Sequence, residues 1–465
     1  MKRILTFETT KYLGKKVRVC GWVQTIRSHG KILFLDLRDR SETLQIVFTP
    51  ENSDLYNEIK KVRSEWVVEV GGTIQKRPPG MVNPKIKTGE VELKAEYLAI
   101  LSKAKTLPFS IETSGYEISE EKRLKYRFLD LRRKRMKKNL EVRQRVIQFI
   151  RNFLIKEDFL EIETPILTKS TPEGARDFLI PSRLYPGYFY ALPQSPQQYK
   201  QLLQVAGIEK YFQIARCFRD EDPRADRQAE FTQLDIEMSF VEQEEICLLI
   251  EDLFTQLVKE LFPTKKITKI PFPKIKYQEA MEKYKSDKPD LRKNPSDPDE
   301  LAFCFILDFP MFEWKKEEKR WDAVHHPFTR PQTESVSEIK KNPEKILAWQ
   351  YDLVLNGIEI GGGSLRIYKK EILEAVFEIM GHRKNQIRKN FSHLLEAFDY
   401  GVPPHGGIAC GIDRFLSILL NEPSIREVIA FPKTGDNRDL MMNLPNEVTE
   451  EQLKELRIKI IKPKK

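Results

Sequence analysis

The chain has few cysteines and none of the long hydrophobic segments that membrane proteins need. Its 465 residues include five scattered cysteines, and because they form no CxxC pair, neither structural zinc nor a disulfide framework is expected. Every apolar run is too short to span a bilayer, so no membrane association is expected. The first residues, MKRILTFETT, lack the apolar core and cleavage site of a signal peptide. We therefore expect a cytoplasmic protein.

Positive charge is concentrated near the N-terminus. Residues 1–105 carry 20 Lys and Arg against 12 Asp and Glu, so +8 of the net charge of +10 lies there. A basic module indicates a polyanionic partner, most commonly a nucleic acid. The region also contains five stretches of alternating apolar and polar residues and a helical insert at 51–62. They predict a five-stranded barrel of the OB type over 1–103, although an SH3-like barrel or a small sandwich also fits. The stretches are 16–24, 31–38, 43–48, 66–75 and 90–100.

A second, larger domain follows an irregular segment that we interpret as a hinge over 104–125. From about residue 121 the apolar spacing becomes helical, and the domain extends over 126–465. Hairpin-like turns separate most of its strands, which favours an antiparallel sheet flanked by helices, an α+β fold. The predicted helices are 197–206, 241–260, 369–380, 385–399 and 412–420, and the predicted strands are 176–192, 211–218, 231–240, 301–308 and 350–367.

A cluster of charge interrupts two strand patterns at 211–240. Eight of the twelve residues from 219 to 230 are charged. In the second strand the apolar face consists of Thr232, Leu234, Ile236, Met238 and Phe240. The opposite face carries Gln233, Asp235 and Glu237. Burying such a polar row costs several kcal/mol unless partners satisfy its hydrogen bonds. The row therefore either lines a binding site or is the solvated face of an edge strand.

A second acidic segment, QYDLVLNGIEIGGGSLRI at 350–367, alternates on both sides of Asn-Gly at 356–357. Asn-Gly is the strongest short hairpin signal, and this turn would place Val354 opposite Glu359 and Asp352 diagonal to Glu359. The glycines at 361–363 indicate close approach of a ligand or another backbone. Two converging carboxylates could hold Mg²⁺ against a phosphate. A solvated hairpin with surface acids fits the segment equally well.

A third segment, GIACGIDRFLSILL at 407–420, places glycines before an apolar helix with Arg414 in its first turn. A helix N-terminus and a guanidinium both favour an anion. A plain helix cap with a surface arginine is an equally good interpretation of this segment by itself.

Together these segments resemble the signature motifs of the class II aminoacyl-tRNA synthetases, and the resemblance to the bacterial type of aspartyl-tRNA synthetase is close. EIETPILTKSTPEGARDF is similar to motif 1, near 161–170, and the aspartate-binding segment after it. FRDED and RQAEFTQLD, within 211–240, resemble motif 2, and GIDRF, within 407–420, resembles motif 3. ALPQSPQQYKQLL, HHPFT and AFPKTGDNRDLM fill the intervals in family order. The resemblance covers nearly the whole chain.

The resemblance implies an ATP-dependent, AMP-forming aspartate–tRNA ligase. The aspartate carboxylate would attack the α-phosphate of ATP, and the aspartyl group of the adenylate would then pass to the 3′ end of tRNA(Asp). Such chemistry needs positioning and charge neutralisation more than a dedicated acid or base. By resemblance, Arg219 and Arg414 are the catalytic residues, while Asp352 and Glu359 carry Mg²⁺. The implied ATP-binding set is Arg219, Asp220, Glu221, Gln228, Glu359, Gly411, Ile412, Asp413 and Arg414.

Recognition of L-aspartate is implied for another set of residues. A side-chain carboxylate is well held by an arginine fork with a lysine, and Arg366 with Lys200 match the family's residues for this. The full implied set is Glu173, Gln197, Lys200, Arg219, Asp235, His325 and Arg366. Without the family, His325 and His326 would be interpreted as an ordinary pair in a turn.

The barrel is implied to read the tRNA anticodon by base stacking and hydrogen bonds to base edges. The matching residues are Arg27, Phe34, Gln45, Arg77 and Glu92; without the family, Phe34 would be assigned to the core. His29 and Gly80 resemble members with relaxed specificity, which also charge tRNA(Asn) for later conversion by a tRNA-dependent amidotransferase. Motif 1 belongs to a subunit interface in this class, so a homodimer is expected.

One family feature is missing, and several alternatives stay open. Bacterial members carry an insertion domain between motifs 2 and 3, whereas only KNPSDPDE occupies 293–300 here. The enzyme could be strictly specific for tRNA(Asp). A noncatalytic tRNA-binding paralogue would be expected to have lost Arg219, Glu359 or Arg414. Asparaginyl and lysyl enzymes share the motifs but are disfavoured by Arg366 with Lys200, and a related asparagine synthetase would lack the barrel.

Overall fold

The computed structural model describes residues 2–170, 174–221 and 226–461. The chain forms two compact units, Met1–Ser110 and Ile111–Lys465. Within the described residues, no helix is long and apolar enough to cross a membrane.

The first unit is a closed barrel that follows the predicted strand pattern. A 3-10 helix (Phe7–Lys11) comes first, and the strands and α-helix that follow are β1 (Lys16–His29), β2 (Ile32–Arg38), β3 (Thr43–Phe48), α1 (Ser53–Lys61), β4 (Val67–Lys76) and β5 (Val91–Ser102). The strand order is β1-β2-β3-β5-β4, and β1 also pairs with β4 to close the barrel. All pairs are antiparallel except β3 with β5. The helix α1 begins where the Asn52 side chain accepts a hydrogen bond from the Leu55 backbone N–H.

Alternation along β2 decides which side chains enter the barrel. Leu33, Leu35 and Leu37 are buried in its core, whereas Phe34 and Asp36 lie half-buried on the outer face. The strands β4 and β5 approach so closely that a Cβ at Gly72 would lie 2.0 Å from the Lys94 carbonyl oxygen. Only glycine fits there.

The second unit contains a large sheet with helices, and two 3-10 helices (Pro343–Lys345 and Ile425–Glu427) accompany the elements named next. Its described elements are α2 (Glu120–Lys125), α3 (Arg127–Asp130), α4 (Lys134–Lys156), β6 (Leu160–Glu161), β7 (Leu179–Pro181), β8 (Phe189–Ala191), α5 (Gln197–Val205), β9 (Lys210–Phe218), β10 (Glu230–Ser239), α6 (Gln243–Leu261), β11 (Lys266–Ile267), β12 (Lys274–Lys276), α7 (Tyr277–Tyr284), β13 (Glu300–Leu301), β14 (Phe303–Leu307), β15 (Phe312–Lys315), β16 (Arg320–Ala323), α8 (Val336–Lys341), β17 (Gln350–Leu355), β18 (Ile358–Leu365), α9 (Lys370–Ile379), α10 (Lys384–Phe398), β19 (His405–Gly411), α11 (Ile412–Leu419) and α12 (Glu450–Leu456).

Over the residues described, the main sheet has eight strands in the order β12-β14-β17-β18-β19-β10-β9-β6. Its six central strands are antiparallel, as predicted, but β6 and β12 pair in parallel with β9 and β14 at the two edges. The predicted strand at 176–192 is wrong for most of its length, because only the ends pair, as the hairpin β7–β8. The glycines predicted to precede an apolar helix, Gly407 and Gly411, lie in strand β19, which leads directly into α11.

The two faces of β10 have opposite roles. Leu234, Ile236 and Met238 are buried against a core that includes Ile250 of α6 and Phe415 of α11. The prediction that Phe240 shares this face is wrong: the strand ends at Ser239, and Phe240 has a positive φ and is 66% exposed. The polar face of β10 is on the side of the sheet away from these helices, and the functional residues gather there.

Candidate active site and anticodon face

A cavity of about 490 Å³ lies on the polar face of the central strands. Register explains the space, because one row across four strands reads Asp235, Ala409, Gly362 and Asp352. The methyl group of Ala409 and the missing side chain of Gly362 leave a trough between the two acids. Gly363 is required by close packing, since a Cβ there would lie 2.4 Å from the Gly407 carbonyl oxygen.

Two cations and two carboxylates form a buried network at the floor of this cavity. Lys200 of α5 donates to Asp235 Oδ1 at 2.7 Å and lies 3.1 Å from Glu237 Oε2. The Arg366 guanidinium donates two hydrogen bonds to Glu237, from Nε to Oε1 at 2.9 Å and from Nη2 to Oε2 at 3.1 Å. All four side chains are at most 2% exposed. Burying a charged group costs free energy, and this cost is offset here because each of the four groups has an opposite charge within hydrogen-bonding distance.

The network shifts the pKa values of its two carboxylates in opposite directions. Burial raises the pKa of Glu237, but Arg366 and Lys200 outweigh it and lower the pKa to about 2. Burial raises the pKa of Asp235 in spite of Lys200. Among the described residues, the hydrogen bonds of Arg366 use four of its five N–H groups, and the contacts of Lys200 use two of its three. One N–H of each cation is therefore left for a ligand.

The two adjacent histidines differ in their partners. His325 Nε2 lies 3.3 Å from Asp352 Oδ2; burial lowers the pKa of His325, but Asp352 outweighs it and the pKa is raised. His326 Nε2 lies 2.9 Å from Arg366 Nη1, and burial together with Arg366 holds the pKa of His326 well below its ordinary value. His326 is thus a neutral acceptor that supports Arg366. The pair is more than an ordinary turn, because each ring contacts a charged group of the site.

The hairpin β17–β18 places the two carboxylates predicted to hold a metal. Asn356 and Gly357 have the positive φ angles of the predicted turn, and Val354 lies opposite Glu359, as expected. A bulge then shifts the register so that Asp352 pairs with Gly362. A Cβ at Gly362 would lie 3.0 Å from Asp352 Oδ1 and 3.8 Å from Glu359 Oε1. Both carboxylates therefore reach the same side of this glycine.

These donors fit Mg²⁺, which prefers oxygen ligands and commonly takes one or two protein carboxylates. Glu359 lines the cavity and contacts Lys288 at 3.0 Å. Asp352 lies behind it and accepts from Gln350 Nε2 at 2.8 Å. In the described part of the chain, no group of three or more His, Cys, Asp or Glu could hold a metal, so a metal here would rely on these two carboxylates and its other ligands.

The other end of the cavity carries the charges predicted to meet ATP. Arg219 lies over the Phe231 ring at 5.2 Å, and Arg414 donates to the Glu359 carbonyl oxygen at 3.0 Å. Arg414 also contacts Asp226 Oδ2 at 3.3 Å. Gln228 accepts a hydrogen bond from the Lys433 backbone N–H at 2.7 Å. Two arginines and an amide thus face one open space.

The structure does not place every predicted residue in this space. Asp220, Ile412 and Asp352 are not among the lining residues of the cavity, whereas Glu221, Gly411 and Asp413 are. Asp413 is engaged structurally, because its carboxylate pairs with Arg143 of α4 and accepts from the Thr232 backbone N–H at 3.0 Å. Glu173 lies outside the described residues. The residues that were predicted to bind L-aspartate and that do line the cavity are Gln197, Lys200, Arg219, Asp235, His325 and Arg366.

The barrel brings the predicted anticodon residues to one outer face. Phe34 of β2 pairs with Arg27 of β1, and Gln45 of β3 donates to Glu92 of β5 at 2.8 Å. Arg77 donates through Nε to the Val91 carbonyl oxygen at 3.1 Å, and its buried Nη2 has no hydrogen-bond partner within the described residues. A half-exposed aromatic ring beside hydrogen-bonding groups suits an unstacked base.

The two predicted specificity residues lie in turns of the barrel. His29 ends β1 opposite Ile32 and is exposed. Gly80 has a φ of +82°, and a Cβ there would meet no atom within 4 Å. Both positions are open for contact with a partner.

Sequence reasoning assigned no role to three charged residues that contact the site: Glu237, Lys288 and Asp226. Glu237 had a usable signal, because it alternates with Asp235 on the polar face of β10. Asp226 had a signal too, because it belongs to the charge cluster at 219–230, and it lines the cavity. Lys288 had none, since it reaches the site only through a long-range contact.

Comparisons with known proteins agree over both units. A family model described as tRNA synthetases class II (D, K and N) matches residues 119–435. A model for an OB-fold nucleic acid binding domain, named tRNA_anti-codon, matches residues 17–101.

The chain is similar to proteins named aspartate–tRNA(Asp/Asn) ligase. It is 44% identical to the one from Dictyoglomus turgidum, covering 97% of both chains. It is 41% identical to the one from Rubrobacter xylanophilus, covering 97% of this chain and 95% of the other. The first alignment runs over 576 positions, whereas this chain has 465 residues, so the relative contains long segments that have no counterpart here.

Solved structures show the same fold at lower identity. Asparaginyl-tRNA synthetase from Pyrococcus horikoshii complexed with asparaginyl-adenylate aligns with a TM-score of 0.75 and 23% identity, over 93% of this chain and 98% of that one. A putative aspartyl-tRNA synthetase from Leishmania major aligns with a TM-score of 0.75 and 22% identity, over 93% and 94%. At this identity the likeness speaks for the fold alone.

Proposed function

Because the chain belongs to the class II tRNA synthetases (D, K and N), we propose that it is an aspartate–tRNA ligase with relaxed tRNA specificity. It activates L-aspartate with ATP to aspartyl-adenylate and transfers the aspartyl group to tRNA(Asp) and tRNA(Asn). The names of the relatives at 40 to 44% identity support this reading over a strictly tRNA(Asp)-specific enzyme.

The observation that carries the choice of amino acid is the pair of cations at the cavity floor. Arg366 and Lys200 each keep one N–H for a ligand, and Glu237 and His326 hold the guanidinium in place. A carboxylate side chain would accept both N–H groups, whereas the amide of asparagine offers one acceptor oxygen and a repelling NH₂ group. The carboxylate of Asp235 would face the ammonium group of the substrate. This arrangement favours aspartate.

Activation requires the aspartate carboxylate to meet the α-phosphate while charge builds on the phosphate oxygens. Arg219 would hold the α-phosphate and the attacking carboxylate together, and Arg414 would neutralise the far end of the triphosphate. Pyrophosphate leaves, and the 3′-hydroxyl of the tRNA later displaces AMP from the adenylate. Glu359, supported by Asp352, would hold Mg²⁺, which neutralises phosphate charge when bound.

The proposal extends to the tRNA and to a downstream partner. The barrel face with Phe34 and Gln45 would bind the anticodon, and His29 and Gly80 would permit that of tRNA(Asn) as well. Aspartate on tRNA(Asn) has to become asparagine before it is used, so a tRNA-dependent amidotransferase would act on the product. We propose that the enzyme acts in the cytoplasm, where these substrates would be available.

We also propose a homodimer formed through the motif 1 region. Leu160, Ile166 and Leu167 are 52%, 41% and 53% exposed. Clustered exposed apolar side chains are typical of protein interfaces, and a two-fold symmetric dimer would bury them.

The test is aspartate charging of tRNA(Asp) and tRNA(Asn) transcripts side by side, with asparagine as the control amino acid. We expect comparable charging of both tRNAs by aspartate and none by asparagine. Charging of tRNA(Asp) alone would contradict the relaxed specificity, and charging of neither would favour a noncatalytic protein. A His29→Leu variant is expected to lose charging of tRNA(Asn) more than that of tRNA(Asp).

Aspartate-dependent exchange of pyrophosphate into ATP isolates the first step. Arg366→Ala should reduce it by roughly a hundredfold or more, because charged hydrogen bonds to the substrate are lost. Arg320→Ala is the matched control, since Arg320 pairs with Glu318 and does not line the cavity. Far-UV circular dichroism of both variants separates loss of binding from loss of folding.

A further inference from the structure

Lys288 makes an ion pair with a residue of the active site, although it does not line the cavity. Its ammonium lies 3.0 Å from Glu359 Oε2, and the two side chains are 38% and 32% exposed. The Glu359 carboxylate is therefore already paired with a cation.

The segment that carries Lys288 is held firmly against the hairpin β17–β18. The chain turns sharply after α7, where Lys285 has a φ of +56°. The Ser286 hydroxyl then accepts a hydrogen bond from the Lys288 backbone N–H at 3.0 Å. A Cβ at Gly357 would lie 3.3 Å from the Asp290 Cβ, so the segment touches the hairpin turn. The position of Lys288 is thus set by the fold.

The chemistry of Glu359 makes its two cations competitors. The Lys288 ammonium contacts Glu359 Oε2, whereas Oε1 is the oxygen beside Gly362, so the two cations compete for the charge of one carboxylate rather than for one oxygen. Mg²⁺ demands near-ideal octahedral geometry and gives up its water reluctantly, so an ammonium already on Glu359 weakens its binding further. The positive charge of Lys288 also repels a divalent cation at short range.

We propose that Lys288 is a resident counter-cation of Glu359 that divalent metal must displace, so that metal binds well only together with ATP. The inference rests on the proposed function, in which Glu359 is a metal ligand. The phosphates of ATP supply the extra charge and oxygen ligands that outcompete the ammonium. In the absence of nucleotide, Lys288 neutralises Glu359 and keeps free metal out of the site.

The test measures Mn²⁺ binding by the electron paramagnetic resonance signal of free Mn²⁺, with and without a nonhydrolysable ATP analogue. Mn²⁺ serves as the probe because it shares the oxygen ligands of Mg²⁺. Without nucleotide, Lys288→Gln should bind Mn²⁺ about tenfold more tightly than the wild type, because a competing and repelling charge is removed. Lys288→Arg keeps a cation and should resemble the wild type. Lys293→Gln, which removes an exposed charge from the following link, is the matched control.

Glu359→Gln separates the failure of this inference from that of the metal site. With the ATP analogue present, Glu359→Gln should weaken Mn²⁺ binding, and in the Lys288→Gln background it should abolish the gain. If Glu359→Gln changes nothing, Glu359 is not a metal ligand and the proposed site falls. If Glu359→Gln weakens binding but Lys288→Gln leaves nucleotide-free binding unchanged or weaker, the competitive role of Lys288 is refuted while the metal site stands.

Discussion

The buried carboxylate of Glu237 provides the sharpest test of how the active site is held together. We consider Glu237→Gln, which keeps the size of the side chain and removes its charge. The substitution leaves Arg366 and Lys200 buried with Asp235 as the nearby carboxylate of the network. The variant should fold less stably, because the lost charge had neutralised two cations.

The magnitude follows from the pKa of Glu237, which is lowered from 4.5 to about 2. A shift of this size corresponds to about 3 kcal/mol of stabilisation at neutral pH. Because the folded pKa is depressed, the contribution is fully present above the unfolded pKa of 4.5 and is lost as the pH falls towards 2. The difference between the variant and the wild type should therefore shrink as the solution is acidified below pH 4.5.

The assay is urea unfolding of the full chain at pH 7, followed by circular dichroism, and repeated at lower pH. Glu230→Gln on the same strand is the matched control, because Glu230 is 39% exposed and pairs with Arg216 at the surface. We expect the control to lose less than about 1 kcal/mol. A Glu237→Gln variant that is as stable as Glu230→Gln at pH 7 would refute the reasoning, as would a difference that grows in acid.

Three further predictions concern the histidine, the metal site and the barrel. His325 should titrate at a lower pKa in Asp352→Asn than in the wild type, as measured by NMR of its ring protons. The stabilisation from the His325–Asp352 pair is fully present below pH 6.5, and it is lost as the pH rises through the raised pKa of His325. An unchanged titration would contradict the pairing. Gly362→Ala should strongly reduce pyrophosphate exchange, because its Cβ would lie 3.0 Å from Asp352 Oδ1 on the side of the glycine that both carboxylates reach; normal exchange would show that the space beside Glu359 is not used. Phe34→Ala should raise the KM for tRNA about tenfold through lost stacking without affecting pyrophosphate exchange, and equal KM values would remove Phe34 from the tRNA interface.

Local patterns in the sequence predicted the elements of the site well. The Asn-Gly pair at 356–357 predicted the hairpin because its turn needs positive φ angles, which these two residues adopt at low cost. Alternation in β10 predicted one apolar and one polar face, and both exist. The edges of the sheet were not predictable in this way, since the parallel pairs of β6 and β12 depend on strands distant in sequence.

The candidate site was also predicted only in part, because some of its contacts join segments that are distant in sequence. The resemblance to a family identified Arg219, Arg366 and Arg414, and all three line one cavity. It did not indicate that Asp413 would be held by Arg143, because the sequence contains no signal for a contact between α4 and α11. Phe34 shows the opposite case: composition alone would bury it, but the pleat of β2 turns it outward.

The amino-acid sequence by itself therefore determined the two-domain order, the turns, the faces of the strands and the kinds of charged groups available for chemistry. These features depend on neighbours within a few residues, where backbone sterics and periodicity act directly. The tertiary structure alone decided which charges meet: Glu237 with Arg366, Glu359 with Lys288, and Asp235 in one row with Asp352. Those partners come from distant segments. Packing of the chain brings the two ion pairs within hydrogen-bonding distance, and the register of the assembled sheet places the two acids on either side of one trough.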